Sequence, residues 1–163
     1  MLKPLIVVGV DGSSSSSDAL RWGADYARLV NGRLRVVYAW SPPVVATIGV
    51  PPLEIDWTLL REQAKRFPGE IVHEVLGDEQ PDLAVASVAT TGSPAQVLVD
   101  ESEHAALLVV GSRGLGGLKG MVLGSVGHHC AAHAYCPVVI VHQPRAEKRR
   151  KVRRDPLQAT AMT

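Results

Sequence analysis

Residues 5–10, Leu5-Ile6-Val7-Val8-Gly9-Val10, carry no polar side chain. An apolar run this short, bounded by turn residues, reads as a strand buried on both faces. A sheet covered by helices on each side provides that environment. The pattern recurs. Residues 34–40, 83–89, 107–110 and 137–141 also read as strands, and helical stretches separate them. This alternation predicts an open five-stranded parallel sheet with helices on both faces. In such sheets ligands bind beyond the carboxyl ends of the strands, where the winding reverses. The loops after the first and fourth strands are the candidates.

The connecting segments follow local rules. Asp11-Gly12 and the serine run 13–17 read as a loop and helix cap. A helix over 18–30 places Ala19, Leu20, Gly23, Ala24, Ala27 and Val30 near one face, and Asn31-Gly32 closes it. Residues 41–52 hold four prolines and Gly49, which leaves a loop suited to a lid or an interface. The next helix spans 54–65 and Pro68-Gly69 interrupts it, while 70–76 fit either a continuation or a new element. Ser93 as N-cap and Pro94 at the first position open another helix, and 125–134 form the last.

The 163 residues suit one domain of ordinary size. No apolar run approaches a membrane span, and residues 5–10 are too short for the core of a signal peptide. An intracellular, cytoplasmic protein is expected. The formal net charge is +1, but its distribution is uneven. After Gln143 seven basic residues face two acidic ones, leaving ten basic against fourteen acidic in the rest. The reading is therefore a folded domain over 1–142 and a basic, disordered tail over 143–163.

The segment Gly111-Ser112-Arg113-Gly114-Leu115-Gly116-Gly117-Leu118-Lys119-Gly120-Met121-Val122-Leu123-Gly124-Ser125 follows a strand and precedes a helix. Backbone N–H groups can close on an anion where no Cβ intervenes. The first amides of the helix add unpaired donors and the positive end of its dipole. Ser125 adds a hydroxyl, and Arg113 and Lys119 add charge suited to phosphates. The common phosphate motifs do not fit. Lys119 is followed by Gly120 and Met121, which excludes a Walker A loop, and it stands where the dinucleotide fingerprint needs glycine. A flexible glycine-rich connector is the alternative.

The spacing Gly111-x2-Gly114-x9-Gly124-Ser125 resembles the nucleotide-binding pattern of the universal stress protein family. The opening Ile6-Val7-Val8-Gly9-Val10-Asp11-Gly12-Ser13 and the closing Cys136-Pro137-Val138-Val139-Ile140-Val141 are similar to that family's first and last strands. The resemblance runs from about Pro4 to His142. It implies a flavodoxin-like, Rossmann-like α/β fold, usually homodimeric, that binds ATP, with or without Mg2+. It further implies that Gly9, Val10 and Asp11 meet adenine and ribose, and that Ala39 lines the adenine pocket. Val110, Gly111, Arg113 and Gly114 would flank ribose and phosphates, and Gly124, Ser125 and Val126 would hold the phosphates. Gly127 departs from the pattern, because many relatives carry a hydroxyl there. The segment 67–82 and the basic tail also depart from it.

Other residues have competing roles. Asp11 either ligates a metal through the phosphates or accepts hydrogen bonds, and the second is favoured because no other carboxylate stands nearby in the motif. His128, His129, Cys130, His133 and Cys136 lack a standard zinc spacing and read as structural. Trp22, Trp40 and Trp57 read as core or interface packing. The last strand, Pro137 to Val141, would pair with a second copy if it lies at the sheet edge. The tail suits nucleic acid or an acidic partner but lacks interleaved aromatics. A regulatory ATP-binding module is the leading function. A cyclic-AMP-binding member, and a slow ATPase or phosphoryl transferase with Asp11 as its sole acid or base, are the alternatives.

Overall fold

Strand β1 (Leu5–Val10) lies at the centre of the sheet, and its residues alternate between two cores. The computed structural model describes residues 2–42, 56–78, 80–115 and 123–142. Ile6, Val8 and Val10 point to one side, where α1 (Ser14–Leu29) and α2 (Trp57–Leu76) pack. Val7 points to the other, with α3 (Pro94–Ser102) and α4 (Ser125–His133). Both faces of the strand are thus apolar, as a continuous hydrophobic run requires.

The other strands are β2 (Arg33–Trp40), β3 (Ala84–Thr91), β4 (Leu107–Gly111) and β5 (Val138–Val141). They form one sheet in the order β3-β2-β1-β4-β5. Every pairing is parallel: Val8 stands opposite Val36 and Val109, and Val109 opposite Val139. The chain winds outward from β1 to β3, then crosses to β4 on the other side. The winding therefore reverses between β1 and β4, and this is the point where a doubly wound sheet opens a crevice.

Three of the differences from the sequence expectation have a clear structural reason. Helix α1 begins at Ser14 rather than at residue 18, capped by Ser13, whose Oγ accepts the Ser16 N–H at 3.2 Å. Serine is a weak helix former in isolation, but here the hydroxyls of Ser16 and Ser17 donate back to Ser13 O. Pro68-Gly69 does not interrupt α2, which runs through it to Leu76. Pro68 is fully buried, and Phe67 beside it packs against Tyr38 with ring centroids 4.5 Å apart. That apolar burial outweighs the missing amide. Strand β3 continues to Thr91 because Trp40 and Thr91 stay in register. Its small residues sit on an exposed sheet edge, where a strong apolar signal is not needed.

The two cysteines occupy different environments. Cys130 is fully buried on α4, and burial pushes its thiol pKa up to about 11. Cys136 is half-buried and its pKa is also raised by burial, partly offset by the Leu108 N–H. Thiolate is the reactive form, so burial suppresses the reactivity of Cys130. Alkylation followed by mass spectrometry is expected to label Cys136 first and Cys130 only as the fold opens. Equal rates at the two positions would contradict this packing.

Candidate functional site

A cavity of about 610 Å³ opens at the reversal point, beyond the carboxyl ends of β1, β2 and β4. Its size is that of an ordinary small-molecule site. Strand β1 supplies Gly9 and Val10, and β2 supplies Val37, Tyr38 and Ala39. Pro94 and Leu98 of α3 form an apolar wall. The far side is built by Val110, Gly111, Arg113, Gly114 and Leu115, and by Gly124, Ser125, Val126 and Gly127.

The two ends of the glycine-rich segment meet beside this cavity. The Gly124 N–H donates to Ser112 O at 2.7 Å, and the buried Ser112 donates its own N–H to Val141 O at 2.9 Å. Gly124 then caps α4 without any side-chain hydrogen bond. The His128 N–H is the first to find a helical acceptor, Gly124 O at 3.0 Å. The amides of Ser125, Val126 and Gly127 precede it, without an acceptor inside the helix. The cavity thus meets a helix end rich in donors and positive in potential.

Asp11, the residue after β1, lies beside the turn that follows β4. Its Oδ1 accepts the Ser13 N–H at 3.0 Å and the Ser13 hydroxyl at 2.6 Å. Its Oδ2 accepts the Leu115 N–H at 3.0 Å. Burial alone would raise its pKa. The Ser13 hydroxyl and N–H, the Leu115 N–H and the Ser16 hydroxyl more than offset that, and the carboxyl titrates below its ordinary value. A depressed folded-state pKa adds stability that is present above the unfolded-state pKa and is lost as pH falls through the folded one. Asp11→Asn is therefore expected to lower the urea midpoint at neutral pH and to flatten its decline on acidification. Parallel pH profiles for the two proteins would contradict it.

All eleven residues singled out in the sequence line this one cavity: Gly9, Val10, Asp11, Ala39, Val110, Gly111, Arg113, Gly114, Gly124, Ser125 and Val126. Their glycines differ in what they accommodate. A Cβ on Gly9 would stand 2.6 Å from Leu98 Cδ1, and one on Gly111 would stand 2.8 Å from the Ser15 carbonyl. At Gly111 the close neighbours include backbone of α1, so the missing Cβ there admits the helix. A Cβ on Gly124 would meet nothing closer than 3.6 Å. Sequence reasoning did not assign Ser16, Val37, Tyr38, Pro94, Leu98, Leu115 or Gly127 to the site, although all of them line the cavity. Val37 was within reach, since it lies two residues before Ala39 on the same strand face.

The sequence model of the Universal stress protein family matches residues 5–142. The chain belongs to the universal stress protein family. A universal stress protein of Mycobacterium tuberculosis is 38% identical over 140 residues, which is 85% of this chain and 45% of that relative. The chain spans about half the length of the curated relatives it matches. Among solved structures, UspA from Lactobacillus plantarum has a TM-score of 0.65 at 18% identity, over 86% of this chain and 99% of that one. A universal stress protein solved in complex with cAMP has a TM-score of 0.59 at 26% identity, over 87% and 98%.

The positions read from the sequence as departures from the universal stress protein pattern have definite surroundings in the structure. At Gly127 a Cβ would stand 2.8 Å from Leu123 Cδ1, so the leucine side chain fills the space a hydroxyl residue would take. Segment 67–82, read from the sequence as a departure, lies inside the matched residues 5–142 and contains the buried proline of α2. Lys119, the loop from residue 43 and the tail from Gln143 lie outside the described residues. His129 and His133 place their rings 4.4 Å apart on α4. Among the described residues no group of three or more His, Cys, Asp or Glu is arranged to hold a metal. Trp22 stacks on Tyr26 at 5.2 Å and stays 37% exposed, and Trp57 is 43% exposed, so neither belongs to the core. No helix among the described residues is long and apolar enough to cross a membrane.

Proposed function

We propose that the chain is a cytoplasmic regulatory module of the stress response that binds ATP and works as a homodimer. The observation that carries this reading is the uncapped amino end of α4 opening into a cavity at the reversal point of the sheet. Adenine would lie against Ala39 and Val10, with the ribose near Asp11 and the phosphates at Gly124, Ser125 and Val126. Among the described residues Asp11 is the only carboxylate lining the cavity, and protein donors engage both its oxygens. That donor set does not build a metal site by itself, so any Mg2+ would be held chiefly by the phosphates. The same fact favours binding over turnover, because phosphoryl transfer needs a positioned base and a metal. The dimer would form through β5, whose four residues are all partly exposed at the sheet edge.

A cyclic-AMP-binding module is the second reading, favoured by the 26% identical relative solved with cAMP. Nucleotide released by denaturing freshly purified protein separates the two. ATP near one per chain is the expected result. Cyclic AMP would move the second reading ahead, and ADP or AMP would call for a timed hydrolysis assay with Mg2+. An empty site followed by a titration with ATP that shows no saturation would sink the nucleotide reading. Deleting residues 143–163 is expected to leave ATP affinity unchanged. A salt-sensitive contact with nucleic acid or an acidic protein, if present, would be lost with that tail.

A further inference from the structure

Two hydrogen bonds join the loop after β1 to the turn after β4. Asp11 Oδ2 accepts the Leu115 N–H at 3.0 Å, and Ser15 Oγ accepts the Arg113 N–H at 3.4 Å. They bracket Gly114, whose missing Cβ would stand 2.6 Å from Asp11 Oδ2. The carboxylate can come this close only because residue 114 is glycine. Its other oxygen is fixed by Ser13, and the Ser13 hydroxyl that donates there also accepts the Ser16 N–H. The Asp11 backbone joins the same network, since its N–H donates to Ser16 Oγ at 3.3 Å. The serine run that reads as a mere helix cap thus holds Asp11 from one side while Asp11 holds Leu115 on the other.

We propose that Asp11 is a positioning residue of the candidate nucleotide site: its carboxylate fixes the Gly114-Leu115 backbone so that a ligand meets a turn already in place. The proposal rests on the nucleotide reading and differs from it in the role given to Asp11. Contact with the ribose would act on ligand hydroxyls, whereas positioning acts through Leu115 on any ligand that uses the turn. A carboxylate offers about four acceptor sites, and three are already taken here. Holding a binding turn in advance removes part of the ordering cost from association.

Asp11→Asn tests this in the full chain. The amide is isosteric and can still accept from Ser13, but its NH2 cannot accept the Leu115 N–H. Two readouts are taken. One is the affinity for ATP and for 2′,3′-dideoxy-ATP, which lacks both ribose hydroxyls. The other is hydrogen exchange at the Leu115 amide without ligand. Positioning predicts that both affinities fall by the same factor, about tenfold for one charge-assisted hydrogen bond, and that Leu115 exchange speeds up. A loss confined to ATP would assign the carboxylate to the ribose and overturn the proposal. So would unchanged exchange at Leu115, or a wild type that binds both nucleotides with an unaffected variant. A wild type that binds neither nucleotide overturns the nucleotide reading itself, and this proposal with it.

Discussion

Gly111→Ala is expected to destabilise the fold more than any other single methyl added to the motif. The new Cβ would stand 2.5 Å from Ser15 Oγ and 2.8 Å from both the carbonyl carbon and oxygen of Ser15. A hydroxyl can rotate away, but the two backbone atoms belong to α1 and cannot. The helix itself would have to move. It carries Ala19, Leu20, Ala24 and Ala27, all fully buried against the sheet. Overpacking a closed core costs about 1–3 kcal/mol, and a clash with helix backbone belongs at the upper end of that range. The urea midpoint should fall with the slope of the transition preserved. An unchanged midpoint would mean that α1 lies further from β4 than described.

This glycine shows where sequence reasoning reaches its limit. Gly111 was legible as part of a spaced motif, and the cavity does contain it. Its partner Ser15 lies far away in the chain, so no local pattern announces that the missing Cβ admits a helix. The same holds for Gly9 and Leu98. Features set by neighbours in sequence were readable. The apolar runs of β1 and β4 and the Ser93-Pro94 helix start all appear as expected. Features decided by tertiary contact were not. Pro68 stays helical because of what its ring is buried among, and α1 starts early because its serine hydroxyls find Ser13 O. Ser16 of α1 and the Pro94 and Leu98 pair of α3 line one cavity, and no spacing rule links the two helices.

Gly124→Ala should give the opposite result, with the fold kept and the ligand lost. Gly124 has φ −73° and ψ 162°, a conformation open to any residue. The added methyl would rest at 3.6 Å from Arg113 Cα and Ser112 O, in ordinary contact. Stability should hold, or rise by about 0.4–1 kcal/mol because the unfolded chain loses freedom. The same methyl would lie 3.9 Å from the Gly114 nitrogen, at the N-cap of α4. It would crowd the donors on which the phosphates are proposed to rest. A fall in ATP affinity of at least about tenfold is expected, comparable to losing one hydrogen bond to a charged group. Adenosine, which has no phosphate, should bind the variant and the wild type alike. If ATP binds the alanine variant as tightly as the wild type, the phosphates do not sit at α4, and the glycine-rich segment is a connector. If ATP weakens and adenosine does not, the loss belongs to the phosphate end of the cavity. Global destabilisation cannot produce that split, because the clash that would destabilise belongs to Gly111 and is absent at Gly124.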